Sequence, residues 1–261
     1  MTLPALPDAF YWTGETWGAA LRCRPLETIA PHLFTTRQLA LPSGDGYRQL
    51  AESIGAREIA RLNQVHGNTV VTVRRGGMLG GDQPADADVL ISDDPAVGIA
   101  VRAADCVPLL LADRATGAVA AVHAGWRGTA ARVAAAAVDA MAREFGSSPA
   151  DLTAAIGPII GPCCYEVGPE LVDAFAAAGH ERHLIQRWFA TPPPPRGSRD
   201  KPTLRLDVAG ANRDQLILAG VAEGQIYDVG LCTAMHLDVL TSYRAEKEKA
   251  GRLAGAIRAR S

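Results

Sequence analysis

Residues 107–125 read VPLLLADRATGAVAAVHAG, two apolar runs on either side of the turn-forming segment Asp113-Arg114-Ala115-Thr116-Gly117. Short apolar runs bounded by Asp, Thr and Gly are strands joined by a tight connection, so the segment is an antiparallel hairpin. With a loop of four or five residues, Cys106 and His123 fall opposite each other or one place apart. Directly opposed side chains share a face at roughly 5 Å, whereas a one-residue slip would send the two to opposite faces.

Upstream of the hairpin lie further strand-like runs at 31–36, 57–65, 68–75, 87–92 and 98–103, separated by Gly, Asp and Pro clusters as hairpin connections would be. Downstream the period changes from two to 3.6. Residues 129–145 are Ala-rich, begin at Thr129 and stop at Gly146, which fits N-cap and C-terminal preferences. Residues 169–179 and 207–220 show the same helical pattern, starting at Pro169 and Asp207 and ending at glycine. Four consecutive prolines make 191–203 an extended, exposed loop, because proline donates to neither ladder nor helix. Strands followed by helices in a chain of 261 residues, 48% hydrophobic, point to one α/β domain spanning 1–261.

A net charge of −2, with both signs interspersed, gives no electrostatic footprint for a nucleic-acid polymer. No segment approaches the roughly 20 apolar residues of a membrane span, and the N-terminal residues lack a signal-peptide pattern, so a cytoplasmic location without a membrane partner is expected. Five scattered cysteines without a CxxC pair are expected as reduced thiols.

Three residues of metal-binding type sit at strand ends beside glycine or tight turns: His66 in NQVHGN, Cys106 in AADCVPLLL and His123 in AAVHAGWRG. Two imidazoles and a thiolate form a three-ligand zinc set with a fourth position left for water or substrate. Each also has a plainer reading as a core or strand-end residue. Cys106 beside a histidine equally fits the nucleophile pair of a cysteine hydrolase, which has no need of His66. Asp105 is placed to orient a histidine, to donate a proton or simply to end a strand. Gly125-Trp126-Arg127-Gly128-Thr129 leads into a helix, where backbone N–H groups and Arg127 would make an anion pocket. Arg37 and Arg244 are further candidates for phosphate. His180 and His183 read as solvated surface. The pair Cys163–Cys164, within the Gly- and Pro-shaped segment 156–168, has no ligand-spaced partner and stays outside the metal set.

In order along the chain, NQVHG, ADCVPLLL, AVHAGWRGT, AAIGPIIGPCCYEVG, LDVAGANRDQL and CTAMHLDVLTSYR resemble the YfiH family of purine nucleoside phosphorylases, also described as multicopper polyphenol oxidases, laccase-domain proteins or peptidoglycan editing factors. The likeness covers roughly residues 30–258. It implies a layered α-β-β-α fold with antiparallel and mixed sheets, and His66, Cys106 and His123 as metal ligands, for zinc or for copper. It implies a nucleoside and phosphate as substrates: adenosine, inosine, guanosine or methylthioadenosine is cleaved to free base and ribose 1-phosphate, with adenosine deamination as a side activity. We assign Cys106 and His123 to the catalytic metal, Asp105 as acid, and Arg37, Arg127 and Arg244 to phosphate. The chain departs from the family after Arg37, where it lacks a Gly-Gly-x-Ser segment, and after Arg244, where the usual Arg and acid are missing. With six histidines and no HxH pair, a multinuclear copper cluster is disfavoured. The same residues also allow a zinc-stabilised binding module or a hydrolase of peptidoglycan precursors, and the sequence leaves the oligomeric state open.

Overall fold

The hairpin forms with Leu109 opposite Val122 and Pro108 opposite His123, closed by five residues in which Asp113 accepts hydrogen bonds from the backbone N–H of Ala115 and the hydroxyl of Thr116. A computed structural model describes residues 2–41, 44–77, 84–191 and 203–260. The proline-rich stretch 191–203 lies outside these residues except for its two ends.

In chain order the strands are β1 (Phe10–Glu15), β2 (Gly18–Cys23), β3 (His32–Thr35), β4 (Glu58–Ala60), β5 (Val70–Val73), β6 (Val89–Ser92), β7 (Val97–Ala103), β8 (Val107–Asp113), β9 (Val119–Ala124) and β10 (Leu152–Ile156). The short β11 (Phe189–Ala190) and β12 (Arg205–Leu206) pair with each other, and β13 (Ile226–Asp228) and β14 (Leu253–Arg258) follow. Two six-stranded sheets result, ordered β1-β2-β3-β14-β7-β4 and β13-β10-β8-β9-β6-β5. Both are antiparallel within and parallel at an edge, where β4 joins β7, β5 joins β6 and β13 joins β10.

Three apolar layers follow from the side-chain alternation. Leu110 and Ala112 of β8, with Val119 and Ala121 of β9, meet Phe34, Val101 and Ile257 between the sheets. The alternate residues Leu109, Leu111, Ala120 and Val122 face the helices Val133–Phe145 and Val208–Leu218. The helix Gly44–Ile54 covers the other side, against Leu33, Ala100 and Ala256. A strand buried on both faces needs apolar residues at every position, which is why 107–112 runs without alternation. The α-β-β-α layering expected from the family resemblance is therefore the fold.

Several local expectations change. The strands before the hairpin are not joined as hairpins: β4 and β7 lie in one sheet, β5 and β6 in the other, and both neighbouring pairs run parallel. The helix read as 129–145 is two helices, Trp126–Ala130 and Val133–Phe145, separated at Arg132, whose backbone is left-handed (φ 59°). The Arg132 guanidinium donates to the carbonyls of Ala178 and Gly179 at 2.7 Å each, closing the end of the helix Glu170–Ala177. Gly146 ends the second helix in the left-handed conformation, and Asp207 caps the helix Val208–Leu218 by accepting from Gly210 N–H. His180 is buried, with Nε2 2.9 Å from the Ala130 carbonyl and its ring between Phe175 and Trp188, so its reading as solvated surface is corrected; His183 is exposed.

Candidate metal centre

Asp88 organises the site. It opens the β6 run inside an apolar segment, is fully buried, and its carboxylate accepts four hydrogen bonds. Three come from the backbone of one turn: Val65 N–H (3.3 Å), His66 N–H (3.0 Å) and Gly67 N–H (2.6 Å). They support His66 in a left-handed conformation (φ 63°), which is unfavourable for a side-chain-bearing residue unless its surroundings hold it. The fourth is donated by His123 Nδ1 at 2.7 Å. A carboxylate on Nδ1 fixes the tautomer and leaves Nε2 with a free lone pair, the arrangement found behind metal-binding imidazoles.

Cys106 does not sit opposite or one place from His123. The register pairs Pro108 with His123, so Cys106 falls two places along, level with Gly125 and on the same inter-sheet face. Gly125 is needed there, since a Cβ at this position would lie 2.7 Å from His66 Cδ2 and 3.0 Å from Cys106 Sγ. The ligand atoms of His66, Cys106 and His123 all lie within 4.8 Å of one another, with Cys106 Sγ 3.9 Å from His66 Nε2 and the two imidazole rings edge to face at 4.8 Å. His123 is buried, Cys106 half-buried and His66 exposed, so the trio opens on one side.

The electrostatics favour a thiolate at Cys106, the form a metal requires, paired with a protonated His123 that would give up its Nε2 proton to a bound ion. Burial opposes a thiolate at Cys106, but hydrogen bonds and charge from His123 and His66 outweigh it and bring the thiol down to about 6. Burial likewise opposes an imidazolium at His123, yet Asp88 and Cys106 raise it to about 9. Burial would raise Asp88 too, and the His123 and Gly67 hydrogen bonds reverse that to a net lowering. Two nitrogens and a sulfur at this spacing, one imidazole already fixed by a carboxylate, fit a borderline-soft ion such as zinc.

The trio lies in a cavity of about 940 Å³. Arg102, Arg244, Lys247 and Arg252 line it. Arg102 sits at the end of β7, where Gln64 pairs with its backbone N–H and carbonyl, and its guanidinium has no partner among the described residues. Arg244 donates to the Glu166 carbonyl at 2.9 Å and stacks on Tyr165, 5.3 Å from the ring centroid. Tyr165 also lines the cavity, and burial with the nearby Cys106 charge pushes its phenol up to about 12, so it remains a neutral donor.

Of the residues expected in the site, His66, Cys106, His123, Asp105 and Arg244 come together around this cavity. Asp105 (φ 91°) touches no histidine: one carboxylate oxygen accepts from Thr233 Oγ1 and the other from Arg244 N–H, both at 2.6 Å. The histidine is oriented by Asp88 instead. Arg37 is not brought to the cavity, because its guanidinium pairs with Glu246 at 3.0 Å and with the Leu237 and Leu240 carbonyls. Arg127 is exposed and lies over the Trp126 ring, 4.3 Å from its centroid. Its helix has only five residues, and of the segment 125–129 Gly125 and Trp126 line the cavity. That turn is clamped from behind, as Asn212 and Gln215 donate to the Thr129 hydroxyl and carbonyl. Asp88 and Arg102 escaped the sequence reading; a carboxylate within the apolar run ADVLIS and an arginine near the end of the apolar run GIAVRA were the available signals.

The two-sheet sandwich is shared with solved structures. YlmD from Geobacillus stearothermophilus superposes with a TM-score of 0.80 at 29% identity, covering 98% of this chain and all of that one. The Bacillus licheniformis protein YfiH gives 0.80 at 26% identity, covering 92% and 96%. The family model described as multi-copper polyphenol oxidoreductase laccase matches residues 45–260, and the chain belongs to this YfiH-like family. A purine nucleoside phosphorylase from Deinococcus radiodurans is 35% identical over 243 residues, covering 85% of this chain and 87% of that protein. An adenosine deaminase from an unidentified prokaryote is 38% identical over 146 residues, 56% of this chain and 52% of its own length.

Proposed function

We propose that this chain is a zinc-dependent purine nucleoside phosphorylase, cleaving adenosine, inosine, guanosine or methylthioadenosine with phosphate, with adenosine deamination as a side activity. The observation that carries the reading is that the His66–Cys106–His123 donor set shares one cavity with four cationic side chains. Relatives named purine nucleoside phosphorylase and adenosine deaminase support it.

In the reaction a phosphate oxygen bonds to C1′ of the ribose as the C1′–N9 bond breaks, and the purine leaves with the bonding pair and takes up a proton. An ion held by His66, Cys106 and His123 would supply Lewis-acid polarisation of an oxygen ligand. Asp88 keeps His123 Nε2 available and holds the His66 turn in place. Arg102, whose guanidinium has no partner among the described residues, and Arg244 bind the phosphate, where a planar fork matches two oxygens at once. Tyr165 offers a hydrogen bond and an aromatic edge to the nucleoside, and Asp105 holds the Arg244 backbone in position. Cytoplasmic location belongs to the same reading; no helix among the described residues is long and apolar enough to cross a membrane.

Chromatography of products from zinc-quantified protein and adenosine, with and without phosphate, tests this. Phosphate-dependent adenine and ribose 1-phosphate, lost in His123→Ala, are expected; no turnover of any purine nucleoside despite bound zinc overturns it. The close Cys106–His123 pair favours one second reading, a cysteine hydrolase. In that case His66→Ala would retain activity and metal chelation would leave it intact, whereas the phosphorylase loses activity under both treatments.

A further inference from the structure

Cys163 and Cys164 have no ligand-spaced partner along the sequence, but the fold brings them one. Cys232 follows β13 and pairs its backbone with Ile159 across an isolated parallel bridge. The three sulfurs lie within 4.8 Å of one another, and the Cys163 and Cys164 sulfurs are 3.5 Å apart. Three thiolates around an ion at about 2.3 Å stand roughly 3.8–4.0 Å from one another in tetrahedral or trigonal geometry, inside that range.

Two features of the backbone shape the cluster. A Cβ at Gly161 would lie 3.3 Å from both Cys163 Sγ and Cys232 Cβ, so a side chain here would crowd the two cysteines. The Gly161 N–H donates to Cys232 Sγ at 3.2 Å, the kind of outer hydrogen bond that supports a ligating sulfur. Residues 161–165 form a tight turn, with Cys164 and Tyr165 N–H both on the Gly161 carbonyl, which presents Cys163 and Cys164 together. Arg205 donates to the Cys163 carbonyl and so helps to fix the turn that carries Cys163 and Cys164.

We propose that Cys163, Cys164 and Cys232 form a second metal site, separate from the His66 centre and built for Cu(I). Sulfur-only donors select soft ions. Zinc in a closed site takes four protein ligands, and no fourth His, Cys, Asp or Glu of the described residues joins this group. Three sulfurs match the lower coordination that Cu(I) accepts. The site touches the cavity through its chain neighbours, since Tyr165 follows Cys164 and lines the cavity, and Thr233 follows Cys232 and holds Asp105.

The test is an anaerobic Cu(I) titration of the full chain against a chromophoric competing chelator. To silence the other centre it uses the His123→Ala variant, alone and combined with Cys163→Ser/Cys164→Ser or with Cys232→Ser, and circular dichroism confirms folding. One tight Cu(I) per chain in His123→Ala, lost in the Cys163/Cys164 combination, is the expected result. The Cys163/Cys164 arm decides the matter if the buried Cys232 substitution unfolds the chain. No tight equivalent in His123→Ala, or one that survives serine at 163 and 164, overturns the proposal. So does preferential uptake of Zn(II) at these sulfurs when both ions are offered.

Discussion

Replacing Asp88 with Asn tests the organisation of the His66 centre most directly, because the change keeps shape and removes one acceptor oxygen. All four partners of the carboxylate are donors: three backbone N–H groups of the 65–67 turn and His123 Nδ1. An Asn amide must turn its NH₂ toward one side or the other. Facing His123, it forces Nδ1 to accept and moves the ring proton to Nε2, which removes a metal ligand. Facing Gly67, it opposes the shortest of the three backbone bonds and releases the left-handed turn that holds His66. Either way a buried donor is left unsatisfied, at about 1–3 kcal/mol of stability. Loss of such a supporting carboxylate lowers metal affinity by about 10–100-fold, equivalent to roughly 1.4–2.7 kcal/mol. Zinc competition against a chromophoric chelator, with urea unfolding of the metal-free protein alongside, measures both quantities. Zinc affinity within twofold of the parent would refute the assignment of Asp88 as the group that fixes both histidines.

Gly125→Ala should abolish stoichiometric zinc binding, measured by metal analysis after gel filtration, while costing about 1–3 kcal/mol or less in urea unfolding, since the exposed His66 ring can move aside. Arg244→Ala and Arg102→Ala should each raise the phosphate KM about tenfold or more through loss of a charge-assisted contact, whereas Arg37→Ala, already paired with Glu246, should leave it within twofold; equal effects at all three would remove the cavity arginines from phosphate binding. His32 is fully buried, its Nε2 accepting from Cys23 N–H and its Nδ1 donating to the Ala30 carbonyl, and burial, the dominant cause, lowers it to about 4. Its folded value lies below the ordinary 6.5, so its neutral form stabilises the fold at pH 7 and that contribution is lost as pH falls from 6.5 through about 4. The loss amounts to about 3 kcal/mol. Comparing urea midpoints of the parent and His32→Gln from pH 7.5 to 4 should show a steeper decline in the parent, and parallel curves would contradict it.

What could be read from the sequence was local. The hairpin and its turn were legible because a strand buried on both faces is apolar at every position and the reversal needs Asp and Gly. The convergence of His66, Cys106 and His123 was legible as residue types at strand ends. The sheet order was not. β14 inserts between β3 and β7 from the far end of the chain, and nothing within residues 253–258 encodes that partner. The β1–β2 pair and the helix Gly44–Ile54 also went unread. Asp88 went unread within the strand-like run 87–92 because its partners lie in a turn some twenty residues away, and a buried carboxylate is recognised only when its donors are known. His180 looked polar and solvated until the break at Arg132 delivered the Ala130 carbonyl to its ring. Cys232 lies far along the chain from Cys163 and Cys164, and only the pairing of residues after β10 and β13 unites them.

The passage from β7 to β8 is three residues long, Ala104, Asp105 and Cys106, and it carries the chain from one sheet to the other. Arg102 is the last residue but one of β7, and Cys106, four positions later, immediately precedes β8. The arginine-lined half of the cavity and the half that holds the His66–Cys106–His123 donors are thereby geared together by a link with no slack. A single residue inserted there would shift a donor and a cation out of step at once, so sequence length at this link should be the least tolerant dimension of the whole chain.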